Sequence, residues 1–191
     1  MQLNKALSIA NGIVESLSPH SEIINIAGSC RRGRVEVKDI EIIVLPKPKI
    51  IKDVFGEDMA VGRSKEFIST VQLLGEVLKG SPLEAKYMQV KLKEGINLDL
   101  FLPLSVDYYR QFALRTGSAD YSKNVLAAGW RKIGWCGSDA GLRRTSDCIQ
   151  RKPSGWKCVN PKAILPPAWK SEREFFDWIK VRWVEPSLRN Y

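Results

Sequence analysis

The chain has 191 residues, which suits one domain or two small lobes that share a core. Its 30 basic and 21 acidic side chains give a net charge of +9, which favours a polyanionic partner, with a basic surface kept for solubility as the alternative. No apolar stretch approaches the roughly 18 residues of a membrane helix, and the amphipathic N-terminus is not signal-like, so we expect an intracellular protein (cytoplasmic, nuclear or viral) without membrane contact.

Helices and strands are predicted to alternate over the first 45 residues. In chain order, the predicted elements are a helix at 2–17, a strand at 23–27, a short helix or turn at 29–33 and a strand at 39–45. Pro19 ends the first helix and Pro46 closes the second strand, because proline cannot continue either ladder of hydrogen bonds. The second strand is unusual, since its Ile/Val-rich run begins with two acidic residues, Asp39 and Glu41.

The sequence patterns in the middle and at the end of the chain predict further helices and strands, separated by residues that favour turns. They are a helix at 64–79, strands at 85–92 and 96–102 joined at Glu94-Gly95, helices at 108–114 and 122–130, loops over 133–168 and a final helix from Ser171. Ser64 is an N-cap, and Ser171 with Glu174 forms a capping box. We therefore expect an α+β fold with antiparallel strands near the acidic residues, followed by a smaller lobe from about residue 112.

Three carboxylates are candidates for a metal site. Asp39 and Glu41 stand two apart on a strand, so their side chains share one face. Asp99 joins them if the strand at 96–102 lies beside the strand at 39–45. Like charges crowded in a partly dry site repel, and divalent cations relieve that repulsion. Mg²⁺ prefers such oxygen ligands, and two ions about 3.5–4 Å apart suit phosphoryl transfer.

The segment before these acids predicts an anion site. A strand that ends in Gly28-Ser29 and turns into a helix directs backbone N–H groups and a hydroxyl outward. Arg32 adds a planar charged group that suits phosphate oxygens. Taken singly, a Gly-Ser is usually a turn and an Asp-x-Glu at a strand edge is usually solvated charge. Their order and spacing together favour a clamp for a nucleotide and its metal.

These motifs resemble those of a known family. G-S-C-R-R-G at 28–33, followed by D-I-E at 39–41, resembles the nucleotidyltransferase signature of the family X DNA polymerases. N-L-D-L-F-L at 97–102 is similar to the strand that carries that family's third metal-site aspartate. R-T-G-S-A-D-Y-S-K-N at 115–124 resembles the segment that contacts the incoming nucleotide, and the tail at 171–189 resembles the family's ending.

The resemblance implies a nucleotidyltransferase palm at residues 1–111, with a mixed or antiparallel sheet and flanking helices, and a C-terminal α/β lobe at 112–191 that contacts nucleotide and template. It implies templated addition of dNTPs to a DNA 3′ end, of the gap-filling or repair type, with two Mg²⁺ ions or with Mn²⁺ in their place. It covers the catalytic core only, so we expect a monomer without sugar-phosphate lyase activity.

The same resemblance assigns roles to individual residues. Asp39 and Glu41 would bind both metals, and Asp99 would bind the catalytic metal and help to deprotonate the primer 3′-hydroxyl. The residues implied in nucleotide binding are Gly28, Ser29, Arg32, Lys38, Gly117, Ser118 and Ser122. Ser29 and Arg32 would hold the β- and γ-phosphates.

The chain also departs from the family pattern. Glu41 replaces the usual Asp, and Lys38 replaces a common Gly. Leu114 and Arg115 stand where a Tyr-Phe pair helps to reject ribose, which leaves sugar selection open. The basic residues considered for DNA contact are Lys86, Lys91, Lys93, Arg143, Arg144, Arg151 and Lys152. The four cysteines contain no CxxC pair, so we expect reduced thiols.

Two alternative functions remain open. A template-independent or RNA-directed nucleotidyltransferase would use the same core. A nucleic-acid-binding module with an inactive site is the second alternative, and the three intact carboxylates count against it, because an idle acid cluster is costly.

Overall fold

The computed structural model describes residues 1–151 and 155–190 and has helices with several sheets, so the predicted α+β class is confirmed. Lys152 lies outside the described residues. The chain divides into two compact units, Met1–Tyr108 and Tyr109–Tyr191. None of the described helices combines the length and the apolar composition that a membrane span requires.

The first unit is built on a five-stranded sheet. Its helices are α1 (Leu3–Leu17), α2 (Gly28–Arg31) and α3 (Lys65–Leu74). Its strands are β1 (Ser21–Ile26), β2 (Asp39–Pro46), β3 (Lys49–Lys52), β4 (Asp58–Val61), β5 (Gly75–Lys79), β6 (Tyr87–Leu92) and β7 (Asn97–Phe101). The sheet has the order β1-β2-β7-β6-β5, and β3 and β4 form a separate hairpin that the sequence did not predict.

Strand directions in this sheet are mixed. β2 and β7 run parallel, whereas β1–β2, β5–β6 and β6–β7 are antiparallel. The expectation of antiparallel strands around the acidic residues is therefore wrong for β2 and β7, because strand direction depends on the path of the chain between them. The predicted turn at Glu94-Gly95 does connect β6 to β7, and Gly95 supplies the positive φ of 77° that the turn needs.

Alternation along β2 and β7 separates an apolar face from a polar one. The apolar face contributes buried residues to a core shared with α1 and α3. This core includes Ala10, Ile13, Leu17, Ile40, Ile42, Val44, Phe67, Val71, Leu98 and Leu100. Because Ile40 and Leu98 point into this core, Asp39, Glu41 and Asp99 lie on the opposite face of the sheet.

The helix predicted at 64–79 is too long. Ser64 caps it as expected, since its side chain accepts a hydrogen bond from the Phe67 N–H at 3.2 Å. The helix ends at Leu74, and Gly75–Lys79 forms strand β5. A side chain at Gly75 would overlap the Lys91 carbonyl, so glycine permits the close backbone approach that starts this strand.

The second part of the chain adds helices and a small sheet. The helices are α4 (Tyr108–Thr116), α5 (Ala119–Tyr121), α6 (Ala127–Lys132) and α7 (Glu172–Trp178), with a π-helical turn at Ser122–Leu126. The strands are β8 (Trp135–Ser138), β9 (Gly141–Arg144), β10 (Cys148–Gln150) and β11 (Trp156–Cys158), in the order β10-β11-β8-β9. The prediction of loops over 133–168 is therefore wrong at β8 to β11, since strands of three or four residues leave little periodicity to detect, and it is confirmed over 159–168.

An aromatic cluster organises the core of this unit. Trp169 packs edge-on against Phe175 at 5.0 Å and against Trp178 at 5.2 Å between ring centroids. The Ser171 side chain caps α7 through the Glu174 N–H, as predicted. Glu174 does not complete the box, because its carboxylate accepts from the Lys170 N–H at 2.7 Å.

Candidate functional site

The three predicted acidic residues lie on neighbouring strands of the five-stranded sheet. Glu41 pairs in register with Asp99, and Asp39 pairs with Asn97. Paired residues of adjacent strands point to the same face, so Glu41, Asp99 and Asp39 share one half-buried polar surface. The prediction that the strand at 96–102 lies beside the strand at 39–45 is confirmed.

The acidic residues influence one another electrostatically. Burial raises the pKa of the Asp39 carboxyl above its ordinary value, and the negative charge of Asp99 raises this pKa further. The positive charges of Lys38 and Arg32 oppose the shift. Asp39 and Asp99 therefore lie close enough to repel each other when both are ionised.

Two residues of β6 orient the Asp99 carboxylate. The Tyr87 hydroxyl and the Gln89 amide both donate to Asp99 Oδ1, each at 2.9 Å. Gln89 is the direct cross-strand partner of Asp99, and the Tyr87 ring packs on Phe101 with centroids 5.3 Å apart. The sequence analysis missed Tyr87 and Gln89, although their alternation on β6 would have put them on the same face as Asp99 once the hairpin register was known.

The turn before α2 brings Gly28 against Glu41. The Ala27 N–H donates to the Glu41 carbonyl at 2.8 Å, which ties the end of β1 to β2. Gly28 has a φ of 60°, and a Cβ there would lie 2.6 Å from the Glu41 Cδ and would overlap its Oε2. Glycine is required at this position both by the backbone and by the space that the Glu41 side chain occupies.

Ser29 carries a polar atom without a partner. In the part of the chain that the structure describes, Ser29 Oγ and Trp169 Nε1 are the buried side-chain polar atoms that lack a hydrogen bond. Leaving such an atom unpaired is unfavourable by about 1–3 kcal/mol, so most buried hydroxyls have a partner. Ser29 directly follows Gly28, the residue that packs against Glu41, so its hydroxyl lies close in the chain to this contact.

Arg32 and Cys30 complete the surroundings of the acids. Burial lowers the pKa of Arg32, and the negative charges of Glu41 and Asp39 oppose that shift. Burial, together with the negative charges of Glu41 and Asp39, raises the pKa of the Cys30 thiol to about 11. At neutral pH Cys30 is therefore protonated, and Arg32 lies within electrostatic reach of both carboxylates. Lys38 is exposed at the start of β2.

The remaining predicted nucleotide contacts lie in the second unit and form their own group. The Ser118 side chain caps α5 by accepting from the Tyr121 N–H at 3.1 Å, and the Ser118 N–H donates to the Arg189 carbonyl at 3.0 Å. The Ser122 hydroxyl donates to the Leu114 carbonyl at 2.8 Å. A Cβ at Gly117 would lie 2.8 Å from the Tyr121 ring, so this turn also needs glycine.

The metal-binding capacity of the site rests on its donor chemistry. Over residues 1–151 and 155–190, no group of three or more His, Cys, Asp or Glu side chains is arranged, as these side chains lie, to hold a metal ion. Carboxylate oxygens on one face are nevertheless the ligand type that Mg²⁺ and Mn²⁺ prefer. One oxygen of Asp99 is already held by Tyr87 and Gln89, which leaves its second oxygen for a cation.

Comparison with known proteins adds no assignment. No model of a known protein family matches the chain, and no curated protein matches it. The candidate site consists of three carboxylates, the buried Ser29 hydroxyl and Arg32 around Gly28.

Proposed function

We propose that the chain is a nucleotidyltransferase that adds dNTPs to a DNA primer 3′-hydroxyl, as a DNA polymerase of the family X type. One observation carries the proposal: Glu41 and Asp99 are register partners on the polar face of the sheet, beside the Gly28–Ser29 turn. Acidic oxygens on one side and an unpartnered hydroxyl on the other suit a metal-bound triphosphate.

The carboxylates fit divalent cations by their chemistry. Asp39, Glu41 and Asp99 would hold two Mg²⁺ ions, or Mn²⁺, which would favour ionisation of the primer hydroxyl and neutralise charge on the phosphates. The raised pKa of Asp39 supports this fit, because burial and the charge of Asp99 disfavour its ionised form until a cation compensates. Tyr87 and Gln89 would keep Asp99 oriented, as outer hydrogen bonds do for metal ligands.

The residues of the turn would bind the triphosphate directly. Ser29 Oγ would donate to a phosphate oxygen, which satisfies a hydroxyl that has no partner among the described residues. The Arg32 guanidinium would add charge beside the same oxygens, and it is already within electrostatic reach of Glu41 and Asp39. Exposed Lys38 would add a further positive charge next to Asp39.

The remaining side chains concern the second unit and the DNA. In the second unit, the Ser118 side chain is engaged in capping α5 and the Ser122 hydroxyl is held by the Leu114 carbonyl, so Gly117 and Ser118 have backbone atoms to offer a ligand. Exposed Lys91 is the cross-strand partner of Asn97, which lies on the carboxylate face of the sheet, so Lys91 is a candidate to bind a DNA phosphate. The net charge of +9 would add to the attraction between the chain and DNA.

Primer extension tests the proposal. The chain is incubated with Mg²⁺ and dNTPs on gapped, primer-template, single-stranded and RNA-containing substrates, and templated addition on gapped DNA is expected. Asp99→Asn keeps an acceptor for Tyr87 and Gln89 but removes the charge that would hold the metal, so incorporation should be lost while DNA binding persists. Asp177→Asn, an exposed change on α7, is the matched control and should leave activity unchanged.

Each other outcome has a distinct meaning. Addition to single-stranded DNA alone would assign the template-independent alternative. DNA binding with no incorporation under Mg²⁺ or Mn²⁺ would assign a binding module. Full activity in Asp99→Asn would remove Asp99 from the mechanism.

A further inference from the structure

Cys148 and Cys158 face each other across the antiparallel strands β10 and β11. The next pair along the ladder is hydrogen-bonded, since the Val159 N–H donates to the Asp147 carbonyl at 2.9 Å. Hydrogen-bonded and non-hydrogen-bonded pairs alternate in an antiparallel ladder, so Cys148 and Cys158 form a non-hydrogen-bonded pair. In agreement, the Cys158 N–H donates to Asp139 Oδ1 at 3.1 Å instead of to its cross-strand partner.

This pairing has the geometry of a disulfide site. The α-carbons of non-hydrogen-bonded partners are about 4.5 Å apart, with their side chains close. Disulfides span α-carbon distances of about 4.4–6.8 Å, so the two sulfurs can be joined without moving the strands. Both thiols are free and half-buried, within reach of a small oxidant, whereas Cys136 is buried.

We propose that Cys148 and Cys158 are a site of reversible oxidative modification, in which hydrogen peroxide joins them as a disulfide across β10 and β11. The Cys158 sulfur attacks the peroxide, the O–O bond breaks, one water leaves and a sulfenic acid forms. The Cys148 sulfur then attacks the sulfenic sulfur and expels a second water. Two thiols thus lose two electrons and two protons to the peroxide. The site is independent of the proposed polymerase activity.

The surroundings of Cys148 set the order of these steps. Burial, together with the neighbouring thiols of Cys136 and Cys158, raises the pKa of the Cys148 thiol to about 12. Because the thiolate is the nucleophile, protonated Cys148 is a poor first attacker, and the first oxidation falls to Cys158. Reduction that expels Cys148 is slow for the same reason, since a thiol of high pKa leaves slowly. The bond is therefore slow to form and persistent.

Peptide mapping of the intact protein tests this site. The full chain is treated with hydrogen peroxide, alkylated and digested with trypsin without reductant. Trypsin cleaves after Arg151 and Lys157, so peptides with Cys148 and Cys158 separate unless a disulfide joins them. The expected product is this linked pair, lighter by two hydrogen atoms and released by dithiothreitol. The melting temperature of the full chain should rise on oxidation and return to its starting value on reduction.

Variants make the assignment specific. Cys136→Ala should keep the linked peptides and the rise in melting temperature, whereas Cys158→Ser should lose both. Cys30→Ser, in the other unit, should behave as the unchanged chain. Linkage of Cys148 to Cys136, oxidation of Cys158 without linkage, or a bound zinc ion that protects all three thiols would each overturn the proposal.

Discussion

The Glu41 carboxylate fills the space directly in front of the Gly28 α-carbon. Gly28→Ala therefore forces a methyl group against Glu41 Oε2 as well as an L side chain into a φ of 60°. We expect the free energy of unfolding to fall by more than the roughly 1–2 kcal/mol that a left-handed backbone alone explains, with loss of nucleotide incorporation. Chemical denaturation and primer extension measure the two effects.

Gly95→Ala is the matched control for this change. Gly95 has a φ of 77°, but a Cβ there meets nothing within 4 Å. Gly95→Ala should therefore show the backbone strain alone and keep activity. Equal losses of stability in the two variants would mean that the Glu41 contact is unimportant.

Ser29→Ala separates binding from stability. Ser29 Oγ has no hydrogen bond to the part of the chain that the structure describes, so the free energy of unfolding should stay the same or rise slightly. A hydrogen bond to a charged phosphate is worth about 1.5–3 kcal/mol, so the KM for dNTP should rise roughly 10- to 100-fold. Steady-state kinetics and denaturation are measured on the same preparation.

Ser118→Ala, in contrast to Ser29→Ala, should lower the free energy of unfolding. Its side chain caps α5, and losing an N-cap lowers stability by about 1 kcal/mol. If Ser29→Ala destabilises the fold as much as Ser118→Ala and leaves KM unchanged, Ser29 is a structural residue.

Tyr87→Phe tests the positioning of Asp99. The change removes one donor to Asp99 Oδ1 and keeps the ring contact with Phe101. Loss of such an outer hydrogen bond typically weakens metal affinity or activity about 10- to 100-fold. The Mg²⁺ concentration for half-maximal incorporation should rise accordingly. An unchanged Mg²⁺ titration would separate Tyr87 from metal binding.

The raised pKa of Asp39 predicts that the stability of the fold depends on pH. Its pKa is raised in the folded protein, so the folded state binds more protons than the unfolded state above the ordinary value of 3.8. Stability contributed by protonated Asp39 is therefore lost as pH rises from that value through the folded pKa. Asp39→Asn should raise the free energy of unfolding at neutral pH and change it little at lower pH, below the ordinary value.

Two comparisons sharpen the Asp39 experiment. Asp177→Asn removes a negative charge from an exposed position and corrects for the change in net charge. Mg²⁺ should stabilise the unchanged chain more than Asp39→Asn. A lower stability of Asp39→Asn at neutral pH would contradict the sign of the shift.

Glu172→Gln tests the buried ion pair of the second unit. Arg189 is 0% exposed and donates to both Glu172 oxygens, at 2.7 and 3.0 Å. Removing one partner leaves a buried charge uncompensated, so stability should fall by about 3–5 kcal/mol. Asp58→Asn breaks the exposed Lys52–Asp58 pair instead and should lower stability by less than about 1 kcal/mol. Comparable losses in both variants would argue against the burial effect.

Local patterns in the sequence were sufficient for several parts of this molecule. The alternation of β2 puts Asp39 and Glu41 on one face, because successive side chains of a strand point to opposite sides. Gly95 marks the hairpin between β6 and β7, and Ser64 marks the start of α3, because each meets a requirement within a few residues. Such features depend on short-range sterics and hydrogen bonds, which the sequence carries directly.

Only the tertiary structure decided which strands meet and in what register. The parallel pairing that sets Glu41 against Asp99 joins segments distant in the chain. The contacts of Tyr87 and Gln89 with Asp99, and the pairing of Cys148 with Cys158, join segments closer in the chain, but each depends on the register of its two strands. Strand β5 followed α3 without a break in apolar pattern, and β8 to β11 were too short to show one. Pairing between distant strands depends on the packing of the whole core, so no local pattern specifies it.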